Sequence, residues 1–427
     1  MHVLLMTIGT RGDVQPFLAL GVGLRAAGHR VTIGTSPRFR DEIEGRGLGF
    51  GPLSDDLIAL VETAEGRAAI ESLGDLRSGL GALVGVIRKS GPIQRQLVAD
   101  GWAVAEAARP DVIVFHPKLS ASVHYAEKLG VPAVLAALFP MFLPTGAFPN
   151  PGLPVLGYGR LAQTYNRATH RLVMRLATTF ERRYYGPWLA EHGLAGAPVR
   201  TAHRHDGRRI PILNAWSPHV APPPPDWPAD AHPTGAWFLE REDDWTPPDD
   251  LARFLDDGPP PVYVGFGSMA GRRPEETTRT VLEALARAGM RGVLARGWGG
   301  LSPSDVPDTV HLIDAVPHDW LFPRVAAVVH HGGAGSTAAG LRAGRPTVIC
   351  PFFGDQPFWG RRVQKLGAGP APIPQKRLTP ENLSAALHEA VQPAVRASAE
   401  RVGAAIQAED GVREAVARLE ATVRRAR

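Results

Sequence analysis

Two loops carry residue types able to do chemistry on a bound ligand. Gly9-Thr10-Arg11-Gly12-Asp13 follows an apolar run, Val3–Ile8, and opens a helical stretch. Asp13 has two readings there. It is a first-turn carboxylate favoured by the helix dipole, worth about 0.3–1 kcal/mol. Or it is a general base, ionised at neutral pH and able to take a proton from a bound hydroxyl. The second loop is His330-His331-Gly332-Gly333-Ala334-Gly335-Ser336. Its glycines let backbone approach a ligand closely. The helix opening at Ser336-Thr337 offers unpaired N–H groups to an anion, with a histidine beside them as a further donor. No Gly-Lys-Ser/Thr is present, so this is not a nucleotide-hydrolysing loop.

Two further strand ends join them. Gly265-Phe266-Gly267-Ser268-Met269 lacks the order of a hydrolase elbow and can supply backbone and hydroxyl donors to phosphate. Phe352-Phe353-Gly354-Asp355-Gln356 places an acceptor and an amide where sugar hydroxyls could be held, although Asp355 could equally cap a helix. The case for a nicotinamide site is weak. The first loop has no third glycine at the required spacing, and the second strand ends Gly34-Thr35-Ser36 with no acid for a ribose. A metal site is not expected either: no histidine or acid pairs with His330 and His331 at ligand spacing, and there is no Asp-x-Asp.

These loops need strands and helices to hold them. Apolar runs at Val3–Ile8, Arg30–Ile33, Val112–Phe115 and Ala133–Ala137 alternate with helical spacing at Gln15–Ala27, which Gly28 would end, and at Arg38–Arg46. Gly47–Gly51 reads as a turn. The alternation restarts with strands at Val262–Gly265, Gly292–Ala295, Val310–Ile313, Ala326–Val329 and Thr347–Ile349 and a helix at Pro274–Ala288. The expected class is α/β, with two doubly wound parallel-sheet domains facing across a cleft. The expected boundaries are 1–216, a proline-rich extended linker at 217–235 around Pro222–Pro225, 236–393, and a helical tail at 394–427.

The bulk composition agrees. A chain of 427 residues is long for a single core. Of its 47 basic residues five are lysine, and no stripe of them with interleaved aromatics suggests nucleic acid. The single cysteine, Cys350, excludes an internal disulfide, and one reading places the chain in a reducing cytoplasm. The arginine bias suggests a GC-rich bacterial source. Met1–Met6 has no basic flank and reads as strand, so no leader is expected. Val131–Gly159 has no charged residue but six prolines, which break a helix, so it reads as a strand and an apolar loop. Arg167, Arg171 and Arg175 follow at i, i+4 spacing. They form a solvated basic face or a weak contact with anionic lipid.

Taken together, Thr7–Pro16, Pro317–Arg324, the histidine–glycine loop, Ile349–Trp359 and Ala371–Lys376 resemble inverting glycosyltransferases of family 1 and the two-Rossmann-domain GT-B class. The sterol glucosyltransferases are the nearest likeness, and glycopeptide-antibiotic glycosyltransferases a looser one. The resemblance runs from Met1 to about Leu383. It implies a nucleotide-sugar co-substrate, UDP-glucose, with no metal or other cofactor, and a lipophilic hydroxyl acceptor. It makes Asp13 the base. It gives His331, Gly333, Gly335, Ser336 and Ser268 to the donor phosphates and Asp355 and Gln356 to the sugar, while Trp298, in Arg296–Gly300, is a candidate to hold the nucleotide base and Val316 a further donor-side candidate. The acceptor side would be lined by Arg11, Phe139, Met141, Phe142 and Phe148. Ala315 and Ala339 stand where plant members carry the tryptophan and glutamate that hold uracil and ribose. Two rival functions are transfer to an antibiotic aglycone and a nucleotide-sugar epimerase of the same fold.

Overall fold

A computed structural model describes residues 1–56, 59–60, 79–151, 153–157, 159–194, 209–231, 233–267, 274–296 and 306–426. Two wholly parallel sheets organise them. The first contains β1 (His2–Met6), β2 (Arg30–Thr35), β3 (Gly49–Pro52), β4 (Val112–Phe115), β5 (Ala133–Ala137) and β6 (Ile212–Asn214). Their spatial order is β3-β2-β1-β4-β5-β6. The second contains β7 (Val262–Gly265), β8 (Gly292–Ala295), β9 (Val310–Ile313), β10 (Ala327–His330) and β11 (Thr347–Ile349), ordered β11-β10-β7-β8-β9. Central strands such as β1, β4 and β7 are buried at every position, as continuous apolar runs in a parallel sheet require.

Strand order reverses once in each sheet, between β1 and β4 and between β7 and β10. Loops leaving adjacent strands diverge there and open a crevice at their carboxyl ends. The Asp13 loop leaves β1, and the histidine–glycine loop leaves β10. Both chemistry-bearing loops therefore sit at switch points.

Several expectations shift. The first helix starts at Arg11, four residues early, and Gly28 follows its end with φ 84°. Arg38–Arg46 divides into a 3-10 turn, Pro37–Phe39, and a short helix, Arg40–Gly45. The glycine-rich turn at 47–51 is mostly strand β3. Its glycines are needed for close approach, since a Cβ on Gly51 would collide with Val104. β10 begins at Ala327, one residue late.

The proline-rich segment is packed rather than freely extended. Val220 and Ala221 are buried, and the Val220 carbonyl accepts from Arg362 Nε at 2.8 Å. Asp226 accepts from Thr145 Oγ1 (2.6 Å), Gly146 N (2.8 Å) and Arg167 Nη2 (3.0 Å), pinning the apolar loop that follows β5.

Past residue 393 the chain forms two helices with different allegiances. Pro393–Gln407 lies on the second domain, where Gly403 abuts the backbone of Leu341 and Gly344. Gly411–Ala426 returns to the first. Its Ala415, Val416, Leu419 and Val423 join the core formed by Leu5, Phe17, Leu20 and Ile33. Gly23 on the first helix makes room for Val412. Truncating Leu419, which is wholly buried, to Ala should therefore destabilise the first domain by about 2–5 kcal/mol. A urea titration of the purified variant checks this.

Candidate active site

Asp13 is the third residue of the first helix, and its carboxylate is engaged on both oxygens. Oδ2 accepts from the Thr10 N–H at 2.9 Å, and Oδ1 lies 2.8 Å from Lys118 Nζ. The local helix-start reading thus accounts for one oxygen, and a cation from another loop takes the second. Gly9 makes this possible. Its φ is 138°, and a Cβ there would collide with the Asp13 carboxylate and Lys118 Nζ.

His116, at the end of β4, stands behind Asp13. Its Nδ1 accepts from the Lys118 N–H at 3.2 Å, which leaves the ring proton on Nε2, 3.6 Å from Asp13 Oδ1. Burial pushes His116 down to about 3, so the ring is neutral. For Asp13 burial works upward, but the Lys118 cation and the Thr10 N–H outweigh it, and the carboxyl stays below its ordinary value. Sequence reasoning missed both His116 and Lys118. They lie over a hundred residues from Asp13, and only the pairing of β1 with β4 brings them to it.

Across the cleft, Asp355 precedes the helix Gln356–Lys365 and accepts from Trp359 Nε1 at 2.7 Å. Burial raises its carboxyl to about 6, and the charge of Asp13 adds to the rise. Gln356 is half committed. Its Oε1 accepts from the N–H groups of Phe352 (2.7 Å) and Phe353 (3.3 Å), so only its amide nitrogen is left for a sugar hydroxyl.

At the histidine–glycine loop, His330 is buried and its Nδ1 accepts from the Gly332 N–H at 2.9 Å. His331 is held close to neutral imidazole by burial, at about 4. Its Nδ1 is buried with no hydrogen-bond partner among the described residues. A Cβ at Gly333 would strike its Nε2, and one at Gly267 would crowd its ring from β7. Gly333 caps the helix Ala334–Arg342, whose first turn holds the exposed Gly335 and half-buried Ser336. An imidazole nitrogen and a helix N-terminus thus share one strand end, an arrangement that suits an anion. Ser268 and Trp298 lie outside the described residues. Val316 packs with the aromatic cluster around Trp320 and Phe322.

The acceptor-side expectations divide. Phe139 and Phe142 are half-buried neighbours, ring centroids 5.7 Å apart. The carbonyls of Met141 and Phe148 lie 3.3 and 3.2 Å from the two ring nitrogens of His170, which burial favours as a neutral imidazole donating to one of them. The Phe148 ring stacks at a tilt on Phe358 of the second domain, 5.1 Å away, so it closes the interface between domains. Arg11 does not join this group. Both its terminal nitrogens bind Glu42, at 3.2 and 2.9 Å, and its charge falls instead on His318 of the second domain.

Two parallel α/β domains with ligand loops at both switch points define a GT-B glycosyltransferase architecture. Solved structures agree in fold: the kitacinnamycin glycosyltransferase superposes with a TM-score of 0.70 at 20% identity, covering 99% of this chain and 98% of that one. The glycosyltransferase VinC in complex with DTDP gives 0.63 at 23% identity, covering 100% of both. Residues 3–146 match the glycosyltransferase family 28 N-terminal domain, and residues 297–422 the erythromycin biosynthesis protein CIII-like C-terminal domain. Two sterol 3-beta-glucosyltransferases of Arabidopsis thaliana are each 37% identical over 97% of this chain. One from Aspergillus fumigatus is 36% identical over the same share. The chain belongs to the sterol glucosyltransferase family of GT-B enzymes. It spans 67% and 64% of the two plant proteins and 29% of the fungal one. These relatives are eukaryotic, so the bacterial source suggested by the arginine bias draws no support from them.

The two acids titrate apart, which gives a signed expectation. Asp355 gains its charge as pH rises through about 6, whereas Asp13 is charged throughout that range. Donor affinity should therefore increase across that interval, and Asp355→Asn should flatten the increase. Calorimetric titration with UDP-glucose at stepped pH measures it. An unchanged step in the variant would assign the titration to another group.

Proposed function

We propose that this chain transfers glucose from UDP-glucose to a hydroxyl of a lipophilic polycyclic alcohol, with inversion and without a metal ion. One observation carries the reading: the ionised Asp13 at the first switch point lies within electrostatic reach of Asp355 in the second domain, whose own switch point carries the histidine–glycine loop and a helix N-terminus. The His331 ring and the first turn of the Ala334–Arg342 helix meet the donor diphosphate, and Asp355 with the Gln356 amide meets sugar hydroxyls. Asp13 receives the acceptor proton.

A carboxylate stabilised by Lys118 is a weak base. It suffices if proton transfer comes late, once the new bond to the anomeric carbon has made the acceptor oxygen acidic. The departing diphosphate gains charge in the same step, and preorganised donors aimed at that charge lower the barrier without reorganising. The histidine donates as a neutral imidazole. The negative charge that develops beside it counters the burial that keeps it neutral.

The half-buried Phe139 and Phe142 on an uncharged segment favour an apolar acceptor over a second sugar phosphate. Sterol-type alcohols are the first choice, from the relatives. Polyketide aglycones are the second, since structures of the same fold include the calicheamicin glycosyltransferase CalG4.

Asp13→Ala should lower kcat by about 10²–10⁴ and leave UDP-glucose binding nearly unchanged. Wild-type turnover in that variant would remove Asp13 from the role of base. His331→Ala should cost about 10²–10³ in kcat, and EDTA should cost nothing. Product mass across UDP-sugars and steroid, triterpene and macrolactone acceptors, with anomeric configuration by NMR, tests the transfer. Epimer formation from donor alone would favour the epimerase.

A further inference from the structure

The helix Arg160–Glu191 has two unlike faces. Its inner face holds the apolar loop. Asn166 Nδ2 donates to the Gly146 carbonyl (2.8 Å), Thr169 Oγ1 accepts from the Asn150 N–H (2.9 Å), and His170 faces the carbonyls of Met141 and Phe148. The outer face is apolar where water should be. Among the described residues, the large hydrophobic side chains that are exposed are Val155, Leu156, Leu161, Leu172 and Leu176, at 45–88%. All five fall within one stretch of 22 positions. Tyr165, on the same side of the helix, donates to the Pro154 carbonyl at 3.0 Å and holds Val155 and Leu156 beside the first turns.

Charge follows a matching pattern. Arg160-Leu161, Arg171-Leu172 and Arg175-Leu176 repeat one dipeptide at i, i+11 and i+15. Each step of 100° sets a row of guanidiniums alongside the row of leucines. These three arginines are exposed and have no acidic partner among the described residues. Arg167, turned further round, is the one spent on Asp226. A leucine row flanked by free arginines is the pattern of a helix lying in a membrane interface, with apolar side chains among acyl chains and long cations reaching the phosphates. No described helix is long and apolar enough to cross a membrane.

We propose that the outer face of Arg160–Glu191 docks this enzyme on an anionic lipid bilayer. The contact does not depend on which acceptor is glucosylated. It does place at the bilayer surface the helix that holds the loop bearing Phe142 and Phe148.

The test is sedimentation of the full chain with phosphatidylcholine vesicles, with and without about 30 mol% phosphatidylserine. Binding is expected to require the anionic lipid and to fall with added salt. Each arginine near such a surface contributes about fivefold, so Arg171→Glu/Arg175→Glu should weaken binding by at least about twentyfold. Leu172→Ser/Leu176→Ser should abolish it. Both variants should keep the wild-type melting temperature and the wild-type rate on a detergent-solubilised acceptor. Equal binding by wild type and the variants, or no binding by wild type, overturns the proposal. So does a wild-type dimer that the leucine variant converts to monomer with vesicle binding absent throughout.

Discussion

The contact between Asp13 and Lys118 governs the rest of the site. A carboxylate with 16% of its side chain exposed would tend toward the protonated form at a buried cleft mouth. Lys118 at 2.8 Å and the Thr10 N–H reverse that tendency. The arrangement needs β1 beside β4, because the cation comes from the 3-10 turn that follows β4. It needs glycine at position 9, because any side chain would take the space of the carboxylate. And it needs His116 neutral, because a third charge behind the pair would be buried without solvent.

The opposite domain shows the complementary solution. Asp355 has a single neutral donor, the Trp359 indole, and burial prevails. Two aspartates within one cleft are thus set apart by their partners rather than by their depth. One meets a cation and stays charged. The other meets an indole and the first one's field, and is easily neutralised. Identical carboxylates are thereby set to different protonation tendencies within one cleft.

Much of this was legible from residue order. Seven of the eleven strands coincide with apolar runs read from the chain within a residue, since buried parallel strands leave an unbroken apolar signal. The glycine-rich loop after β10 was legible because glycines and a helix start leave a local mark. Edge strand β3 was not, for it is built of Gly-Phe-Gly-Pro and carries no alternation. Local patterns were silent where function depends on distant pairing. Nothing around Lys118 marks it as the partner of Asp13, and nothing in the last sixteen-residue helix says that it packs on the first. Arg11 was legible as a charge but not as a partner: Glu42 claims it through a bidentate pair.

The position of that last helix bears on motion. A GT-B enzyme must open to admit donor and close to exclude water. Here the chain crosses between domains twice, once through the packed proline segment and once on the way to Gly411–Ala426. Gly235 and Gly411 touch backbone to backbone, so the two crossings lie side by side and neither tolerates a side chain at that point. A paired crossing resists twisting more than a single strand would, yet it permits bending about its own line. A further tie is the aromatic pair of Phe148 and Phe358, and Arg362 of the same helix donates to the Val220 carbonyl of the proline segment. Phe148 belongs to the apolar loop that follows β5 and Phe358 to the helix that starts beside Asp355. Any separation of the domains that breaks this ring contact therefore moves that loop relative to Asp355. On the proposed assignment, the acceptor side and the sugar side are joined at one aromatic pair.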